Sequence, residues 1–326
     1  MAAAIILTQA LDSNGRAIAE EVAAPLGGVA HLADIAPAGR GDALAAARVV
    51  LSFKPLKEMG QDLGRLGPGQ LLQVVSAGLD DLPFDRLPPG LTVAGNSGAF
   101  ARPMAEHALA MVLCLAKRLR EEDAAMRRGE FNQMAPNLLL SGKKAAVLGL
   151  GGAGKAVAGL LTALGMEVFA LNTSGATDQP VAFVGTLDDL DTILADAQVA
   201  VLTLPYTRHT HERLGARELA LLRPDAILVN VARGEIIAQQ ALYEHLRAHP
   251  EFRAGLESWW VEPLRHGRFE LACPLLDLPN LLACPHNSFN VPEWPRLALE
   301  SAFANAGRFL RGEALTGLMR PELHRI

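Results

Sequence analysis

The sequence predicts an α/β protein made of two lobes, each a parallel β-sheet covered by helices. Three observations predict this fold class. Short runs of β-branched and aliphatic residues alternate with helical patterns along most of the chain. The length of 326 residues is sufficient for two domains of ordinary size. Half of the residues are hydrophobic, which is enough to fill a core in each lobe.

The candidate strands fall into two series, separated by a long segment rich in alanine and leucine. This segment is predicted to be a helix over 103–120, followed by a charged stretch at 120–130. A last helix is predicted over 295–311. The first series of strands comprises 4–7, 49–53, 72–75 and 92–94. The second series comprises 145–148, 167–171, 199–203, 226–230 and 281–283.

The composition argues against three classes of protein: membrane, secreted and nucleic-acid-binding. The net charge is −5, whereas nucleic-acid-binding proteins usually carry a basic face. No apolar stretch approaches the roughly 18 residues of a membrane span, and the first residues lack the basic region of a signal peptide. Cys114, Cys273 and Cys284 lack metal-like spacing and favour a reducing compartment. We therefore expect a cytoplasmic protein with no metal site and no nucleic-acid or membrane partner.

A glycine-rich turn follows the predicted strand at 145–148 and precedes a helical pattern. In the spacing Gly-x-Gly-x-x-Gly, the first glycine permits the tight bend and the second lets the backbone approach a pyrophosphate. The third lets the helix pack closely on the strand. The phosphates would lie at the positive N-terminus of the helix. The context therefore predicts a Rossmann-like lobe that binds a dinucleotide. The predicted contacts are Gly149, Gly151, Gly152, Ala153 and Gly154.

The strand predicted after this helix, 167–171, is followed by Asn172, Thr173 and Ser174. A site that prefers NAD has Asp or Glu here to accept a hydrogen bond from the ribose 2′-hydroxyl. In this chain no carboxylate is present to repel a 2′-phosphate, and the two hydroxyls can donate to one. Arg208 and His209, after a later strand, are candidates to supply the positive charge that an NADP site usually has. We therefore predict NAD(P) as cofactor, with a slight preference for NADP.

Further motifs occur in a characteristic order. They are SAGLD at 76–80, MAEHAL at 104–109, the glycine-rich turn, LPYTRHT at 204–210, VNVARGE at 229–235, EP at 262–263 and PH at 285–286. In content, order and spacing the chain resembles the D-isomer-specific 2-hydroxyacid dehydrogenases along almost its whole length. The resemblance implies a substrate domain formed by both chain ends, 1–100 and 287–326, and an NAD(P)-binding domain at 101–286.

The resemblance also implies three catalytic residues. Reduction of a 2-keto acid needs a cation that holds the carboxylate and an acid that protonates the developing alkoxide. Arg233 matches the family's substrate arginine, His286 its proton donor, and Glu262 the carboxylate partner that raises the pKa of the imidazole. The related formate dehydrogenases carry Gln at the position of Glu262, so this glutamate favours a hydroxyacid substrate. The implied activity is reduction of a small 2-keto acid such as glyoxylate, hydroxypyruvate or pyruvate.

Other residues match binding positions of the family. The backbone amides of Ala77 and Gly78 are expected to hold the substrate carboxylate, although a plain turn is an alternative. Asn96 and Arg102 either line the cleft or serve the hinge and helix cap. The remaining predicted cofactor contacts are Met104, Leu204, Pro205, Thr210, Val231, Ala232 and Glu257.

Three departures from the family pattern lie around the cofactor. Glu257 stands where the family usually has Asp near the nicotinamide carboxamide, and residues 287–289 replace a run that commonly contains glycine. Asn172 is the third departure. These three departures affect cofactor preference and substrate while leaving the reaction class intact.

Two tryptophans, Trp259 and Trp260, follow Glu257 closely in the sequence. One of them either walls the substrate pocket or packs in the core.

Two alternative functions remain open. One is a nucleotide-sensing interaction protein on the same fold, as in the C-terminal binding protein corepressors. The other is an oxidoreductase of another small oxyanion, such as a phosphonate. The complete set of Arg233, Glu262 and His286 favours the 2-hydroxyacid dehydrogenase. Similar proteins pair through the region corresponding to the apolar segment at 103–130, so the resemblance also implies a homodimer.

Overall fold

The computed structural model describes residues 4–79, 82, 84 and 86–319. The chain forms two compact units, one of Met1–Phe100 with Val291–Ile326 and the other of Ala101–Asn290. Each unit contains one parallel sheet with helices, so the predicted fold class is confirmed. Asp80, the last residue of the motif at 76–80, lies outside the described residues.

The described residues form twelve strands and eleven α-helices, together with six short 3-10 helices. The strands are β1 (Ile5–Leu7), β2 (Ala30–His31), β3 (Val49–Ser52), β4 (Leu71–Val74), β5 (Thr92–Ala94), β6 (Lys144–Leu148), β7 (Glu167–Leu171), β8 (Phe183–Gly185), β9 (Val199–Leu202), β10 (Ile227–Asn230), β11 (Arg253–Leu256) and β12 (Leu281–Ala283). The helices are α1 (Ser13–Ala23), α2 (Pro37–Ala46), α3 (Pro55–Met59), α4 (Ala101–Ala116), α5 (Leu119–Arg127), α6 (Gly152–Ala163), α7 (Leu190–Leu194), α8 (Ala216–Leu219), α9 (Gln239–Ala248), α10 (Pro263–His266) and α11 (Trp294–Arg311). Within these residues no helix is both long and apolar enough to cross a membrane.

In the first unit the strand order is β2-β1-β3-β4-β5, with every pair parallel. Helix α11 packs against α1, so the two ends of the chain fold together. The buried Asn305 of α11 donates to Gln73 Oε1 on β4 at 2.6 Å and accepts from the Thr316 amide at 3.0 Å. These bonds fix the C-terminal segment to a sheet that the N-terminal residues build.

In the second unit the strand order is β12-β11-β10-β9-β6-β7-β8, again entirely parallel. The order reverses between β6 and β9, because the chain runs outward from β6 in one direction and from β9 in the other. In open sheets of this kind, ligands bind beyond the carboxyl ends of the strands at the reversal point. The loops after β6, β7 and β9 to β12 are therefore the ones that can build a site.

Three strands were not predicted from the sequence: β2, β8 and β11. Strands β2 and β8 are sheet-edge strands of two and three residues, too short to show a periodic pattern. Strand β11 contains Ala254 and Gly255, which favour strands poorly. A Cβ at Gly255 would lie 2.8 Å from the Met111 Cε of α4, so close helix packing explains the glycine.

The single helix predicted over 103–120 is wrong at its C-terminal end. Helix α4 ends at Ala116, and Arg118 has a left-handed backbone with φ of +52°. This residue is the N-cap of α5, so the helical pattern is interrupted between the two helices. Lys117 donates to the Leu138 carbonyl at 2.8 Å, which helps fix the bend. A tertiary contact therefore ends a helix that the apolar pattern would have continued.

Candidate active site

The glycine-rich turn joins β6 to α6 where the strand order reverses. Gly149 has φ of +105°, and a Cβ there would lie 2.8 Å from the backbone nitrogen of Leu204. A Cβ at Gly154 would collide with the Gly149 carbonyl oxygen, so the first turn of α6 rests directly on the bend. The hydroxyl of Thr203 donates to that same oxygen at 2.6 Å. The turn is therefore held by the residues that follow β9, in a conformation that only glycine can adopt.

The loop after β7 is organised by Asn172. Its side-chain oxygen accepts from the amides of Ser174 at 2.9 Å and Gly175 at 2.7 Å, and its nitrogen donates to the Ala176 carbonyl at 2.8 Å. Thr173 is exposed in the same loop. The predicted ribose-reading segment thus carries no carboxylate, and the amide of Asn172 shapes its backbone.

The loop after β9 is organised by threonine hydroxyls. Thr210 Oγ1 donates to the Pro205 carbonyl at 2.7 Å and accepts from the Thr207 amide at 2.8 Å. Arg208 Nε donates to His209 Nε2 at 3.3 Å, and both side chains are exposed. Among the predicted cofactor contacts, Thr210 therefore shapes its own loop, while Leu204 lies against the glycine-rich turn.

The turn after β10 carries Arg233. Asn230, the last residue of β10, is fully buried; it accepts from the Ala232 amide at 3.0 Å and donates to the Arg233 carbonyl at 2.8 Å. Arg233 Nη1 donates to the Ala232 carbonyl at 2.8 Å. Asn230 was not among the residues predicted from the sequence. An amide side chain at a predicted strand end, just before the predicted substrate arginine, is the signal that could have identified it.

Glu262 and His286 form the shortest side-chain pair of this region. Glu262 Oε2 lies 2.6 Å from His286 Nδ1, and the carboxyl group is almost fully buried. Because an ionised carboxylate only accepts hydrogen bonds, Nδ1 carries a proton and donates it. The second ring nitrogen, Nε2, then points away from Glu262. His286 has φ of +54°, a left-handed conformation that costs about 1–3 kcal/mol and is held by such contacts.

Glu262 is ionised at neutral pH despite its burial. Burial by itself raises the pKa of Glu262, but the hydrogen bond with His286 and the positive charges of His286, Arg233 and Arg265 together bring it below its usual value. The ionised carboxylate accepts the hydrogen bond from His286 Nδ1 and so holds the imidazole ring in one orientation.

A second carboxylate, Glu257, faces the other nitrogen of the histidine. Glu257 is fully buried at the end of β11; its Oε1 accepts from the Ser288 amide at 2.7 Å, and its Oε2 lies 3.9 Å from His286 Nε2. Two of the three departures from the family pattern, at 257 and at 287–289, thus contact each other. The extra methylene of glutamate is accommodated by the loop that follows the histidine.

Trp259 and Trp260 connect the neighbouring turns. The indole N–H of Trp259 donates to the Cys284 carbonyl at 2.8 Å, and that of Trp260 donates to the Ile237 carbonyl at 2.8 Å. Trp259 is also almost fully buried and packs edge-on against Phe269. Of the two alternatives for these residues, the contacts favour packing.

Other predicted site residues lie in the first unit and on α4. Ala77 and Gly78 belong to the first unit, where Ala77 is exposed and Gly78 is half-buried. Asn96 is buried and donates to two backbone carbonyls within that unit, so the contacts favour a structural role over lining the cleft. On α4, Arg102 is exposed and Met104 is half-buried.

The residues of the second unit fit a nicotinamide dinucleotide. A Cβ at Gly151 would meet nothing within 4 Å, so the backbone at the positive end of α6 is open to phosphates, beside the small Ala153. Glu257 Oε2 is buried and accepts no hydrogen bond from the described residues, which suits a carboxamide donor. Among the same residues no group of His, Cys, Asp or Glu is arranged to hold a metal ion.

Residues 109–288 match the model of the D-isomer specific 2-hydroxyacid dehydrogenase, NAD binding domain. Hydroxypyruvate reductase from Thermotoga maritima is 30% identical over 234 residues, which cover 70% of this chain and 74% of that protein. D-3-phosphoglycerate dehydrogenase from Archaeoglobus fulgidus is 31% identical over 198 residues. That match covers 60% of this chain and 37% of the longer relative.

A solved structure agrees with these sequence matches. The D-isomer specific 2-hydroxyacid dehydrogenase from Xanthobacter autotrophicus Py2, in complex with NADPH and MES, superposes with a TM-score of 0.76. The two chains are 27% identical, and the superposition covers 98% of each. The similarity therefore extends over both compact units.

Proposed function

The chain belongs to the D-isomer specific 2-hydroxyacid dehydrogenase family and is an NAD(P)-dependent oxidoreductase, and from this premise we propose that it reduces a small 2-keto acid to the D-2-hydroxy acid. The observation that carries the proposal is the 2.6 Å pair between buried Glu262 and His286. Such a pair supplies a proton donor held in one orientation. Arg233 is in the same unit, and its charge acts on Glu262.

We assign one task to each of the three residues. The planar guanidinium of Arg233 binds the substrate carboxylate and polarises the keto group. His286 donates the proton on Nε2 to the keto oxygen, because Nδ1 is engaged with Glu262. Glu262 accepts the hydrogen bond from Nδ1 and so orients the ring. A reduced nicotinamide, when bound, would supply the hydride for the carbonyl carbon, which together with the proton from His286 gives the 2-hydroxy acid.

The substrates we propose are glyoxylate, hydroxypyruvate and pyruvate. The T. maritima relative is a hydroxypyruvate reductase, which supports a two- or three-carbon acid. The backbone amides of Ala77 and Gly78 remain our predicted ligands for the substrate carboxylate. Glu262 supports a product hydroxyl, since the carboxylate and histidine together serve to protonate an alkoxide.

The test is a steady-state assay of these acids, phenylpyruvate and longer 2-keto acids with NADH and NADPH. In His286→Asn we expect turnover to fall by about 1,000-fold, within the range for loss of a general acid, with cofactor affinity unchanged. His249→Asn, on a histidine stacked against His245 at the end of α9, is the matched control and should keep full turnover. Full turnover in His286→Asn would remove this residue from the mechanism. Tight cofactor binding without turnover on any acid would favour one of the two alternatives, a nucleotide-sensing interaction protein or an oxidoreductase of another small oxyanion.

For the cofactor, we propose that NADPH is used at least as well as NADH. No carboxylate occurs at positions 172–174 to repel a 2′-phosphate, and the exposed hydroxyl of Thr173 is positioned in the same loop. Asp178 is the next acidic residue along the chain, and it is paired with Lys155 of α6. Parallel titrations of NADH and NADPH test this preference.

We further propose that the protein is a cytoplasmic homodimer. The second unit exposes several large apolar side chains after α4: Leu119, Met126, Phe131, Met134 and Leu139. An apolar surface of this kind favours coverage by a second copy. Light scattering should give twice the chain mass of 34.6 kDa. A mass of one chain at micromolar concentration would contradict the dimer.

A further inference from the structure

A partly buried ion pair joins the turn of Arg233 to the turn of Glu262. Arg265 Nη1 donates to Glu235 Oε1 at 2.8 Å, and the two side chains are only 13% and 14% exposed. Glu235 lies two residues after Arg233, and Arg265 lies three residues after Glu262. The pair thus lies immediately beside the two turns that carry the proposed chemistry.

The two turns are already in close contact through their backbones. A Cβ at Gly234 would collide with the Trp259 carbonyl carbon, so the chain between Arg233 and Glu235 presses directly on the segment that precedes Glu262. This packing limits how far the backbone of Glu235 can move relative to the segment that leads to Glu262 and Arg265. The ion pair therefore acts at short range and in partial isolation from solvent.

Only one oxygen of Glu235 is used. Oε1 accepts from Arg265, whereas Oε2 is buried and accepts no hydrogen bond from the described residues. A buried carboxylate with spare acceptor capacity attracts any nearby cation strongly. The turn that carries Glu235 also carries a cation, the guanidinium of Arg233, two residues earlier in the sequence.

We propose that Arg265 is a positioning residue that holds the Glu235 carboxylate and so prevents it from competing with the substrate carboxylate for Arg233. This inference rests on the proposed function, in which Arg233 binds that carboxylate. Without Arg265, the negative charge of Glu235 occupies the guanidinium that the substrate needs. The expected defect is therefore weaker substrate binding, with little change in the chemical step.

The test uses the full-length enzyme with its best 2-keto acid and saturating reduced cofactor. In Arg265→Gln we expect KM for the keto acid to rise about tenfold, while kcat changes less than about threefold. Oxamate, a carboxylate that is not reduced, should lose affinity as an inhibitor in parallel. Cofactor affinity, measured by fluorescence titration, should be unchanged.

The second-site variant distinguishes charge competition from packing. In Arg265→Gln/Glu235→Gln the competing charge is gone, so KM should return to within about threefold of the original value. If Arg265 mattered only for packing, adding Glu235→Gln to Arg265→Gln would not lower KM. A double variant as impaired as Arg265→Gln, or an unchanged KM in Arg265→Gln, would overturn the proposal.

Matched controls separate the remaining explanations. Arg268→Gln removes an arginine of the same segment whose partner is the exposed Glu270, and its KM should not change. Arg265→Lys keeps the charge; KM near the original value is expected even if Arg265→Gln proves unstable, and a tenfold rise in KM there would count against the proposal. Retention of KM and turnover in Arg233→Gln would instead show that the proposed role of Arg233 is wrong.

Discussion

The two halves of the seven-stranded sheet carry different chemistry at their carboxyl ends. We call the turns after β6 and β7, residues 149–154 and 172–176, the glycine edge. The turns after β10, β11 and β12, residues 230–237, 257–265 and 284–288, form the charged edge. At the glycine edge the contacts are made mainly by backbone atoms and by a side chain that shapes the backbone. At the charged edge they are made by buried ionisable side chains.

This difference follows from what each edge has to bind. Phosphates are recognised by amide groups at a helix N-terminus, which requires close backbone approach and small residues. Proton transfer and carboxylate binding require charged groups at defined distances, and burial makes each of these charges dependent on its partners. We therefore expect glycine-edge changes to act through shape, and charged-edge changes to act through charge.

The largest effect is expected for Gly154→Ala at the glycine edge. The added methyl group collides with the Gly149 carbonyl oxygen, so the turn and α6 must separate, at a cost of about 3 kcal/mol in the free energy of unfolding. Gly159→Ala on the same helix is the matched control. A Cβ there meets nothing within 4 Å, and the change should stabilise by about 0.5–1 kcal/mol. Urea unfolding and nucleotide titration measure both. Equal behaviour of the two variants would contradict the close packing.

At the charged edge, Glu262→Gln should lower kcat/KM by about 100-fold, because His286 Nδ1 loses its carboxylate acceptor while the shape of the side chain is kept. Nucleotide affinity should stay the same. Glu270→Gln, in the same segment but exposed and paired with Arg268, serves as the control and should keep its kcat/KM. If Glu262→Gln retained full activity, the charge at this edge would have no catalytic role.

A half-buried histidine away from both edges, His245, should influence stability alone. Burial, with a smaller contribution from His249, lowers the pKa of His245 to about 4. The unfolded chain takes up a proton below about pH 6.5, whereas the folded protein resists it. Stability should therefore fall as the pH drops from 6.5 towards 4, by about 2 kcal/mol at pH 5.

His245→Phe should remove that loss of stability and leave activity at pH 7 unchanged. The ring of His245 packs edge-on against Phe252, and its Nε2 is buried without a hydrogen bond among the described residues, so an apolar ring suits the position. The free energies of unfolding of the variant and of the unmodified protein, measured at pH 5 and pH 7, test this prediction. A pH dependence identical to that of the unmodified protein would assign the acid sensitivity to other groups.

The smallest effect is expected for Asn172→Asp. The new carboxylate can still accept from the Ser174 and Gly175 amides, so the loop should keep its shape while gaining a negative charge. We expect the ratio of kcat/KM for NADPH to that for NADH to fall about tenfold, a change of about 1.4 kcal/mol. Ser174→Ala, which adds no charge, should change the ratio less. An unchanged ratio in Asn172→Asp would show that position 172 does not govern the cofactor preference.

Much of the fold was predictable from the sequence. The family resemblance and the two-sheet α/β class are confirmed, because apolar runs and ordered motifs encode both. The break at Arg118 and the strand β11 were not predicted, since a distant carbonyl and the approach of α4 decide them. The roles of the site residues and the boundaries of the functional domains remain predictions that the experiments above address.

The sequence by itself determined the glycine-rich turn of the glycine edge, because its information lies within six consecutive residues, 149–154, whose backbone freedom is fixed by residue type. It also identified Arg233, Glu262 and His286 as candidates. Only the tertiary structure decided how they meet, by placing β10, β11 and β12 side by side. The contacts of Glu257 with Ser288 and of Glu235 with Arg265 join residues about thirty positions apart. Such distances depend on strand order and loop path, and local sequence does not encode either.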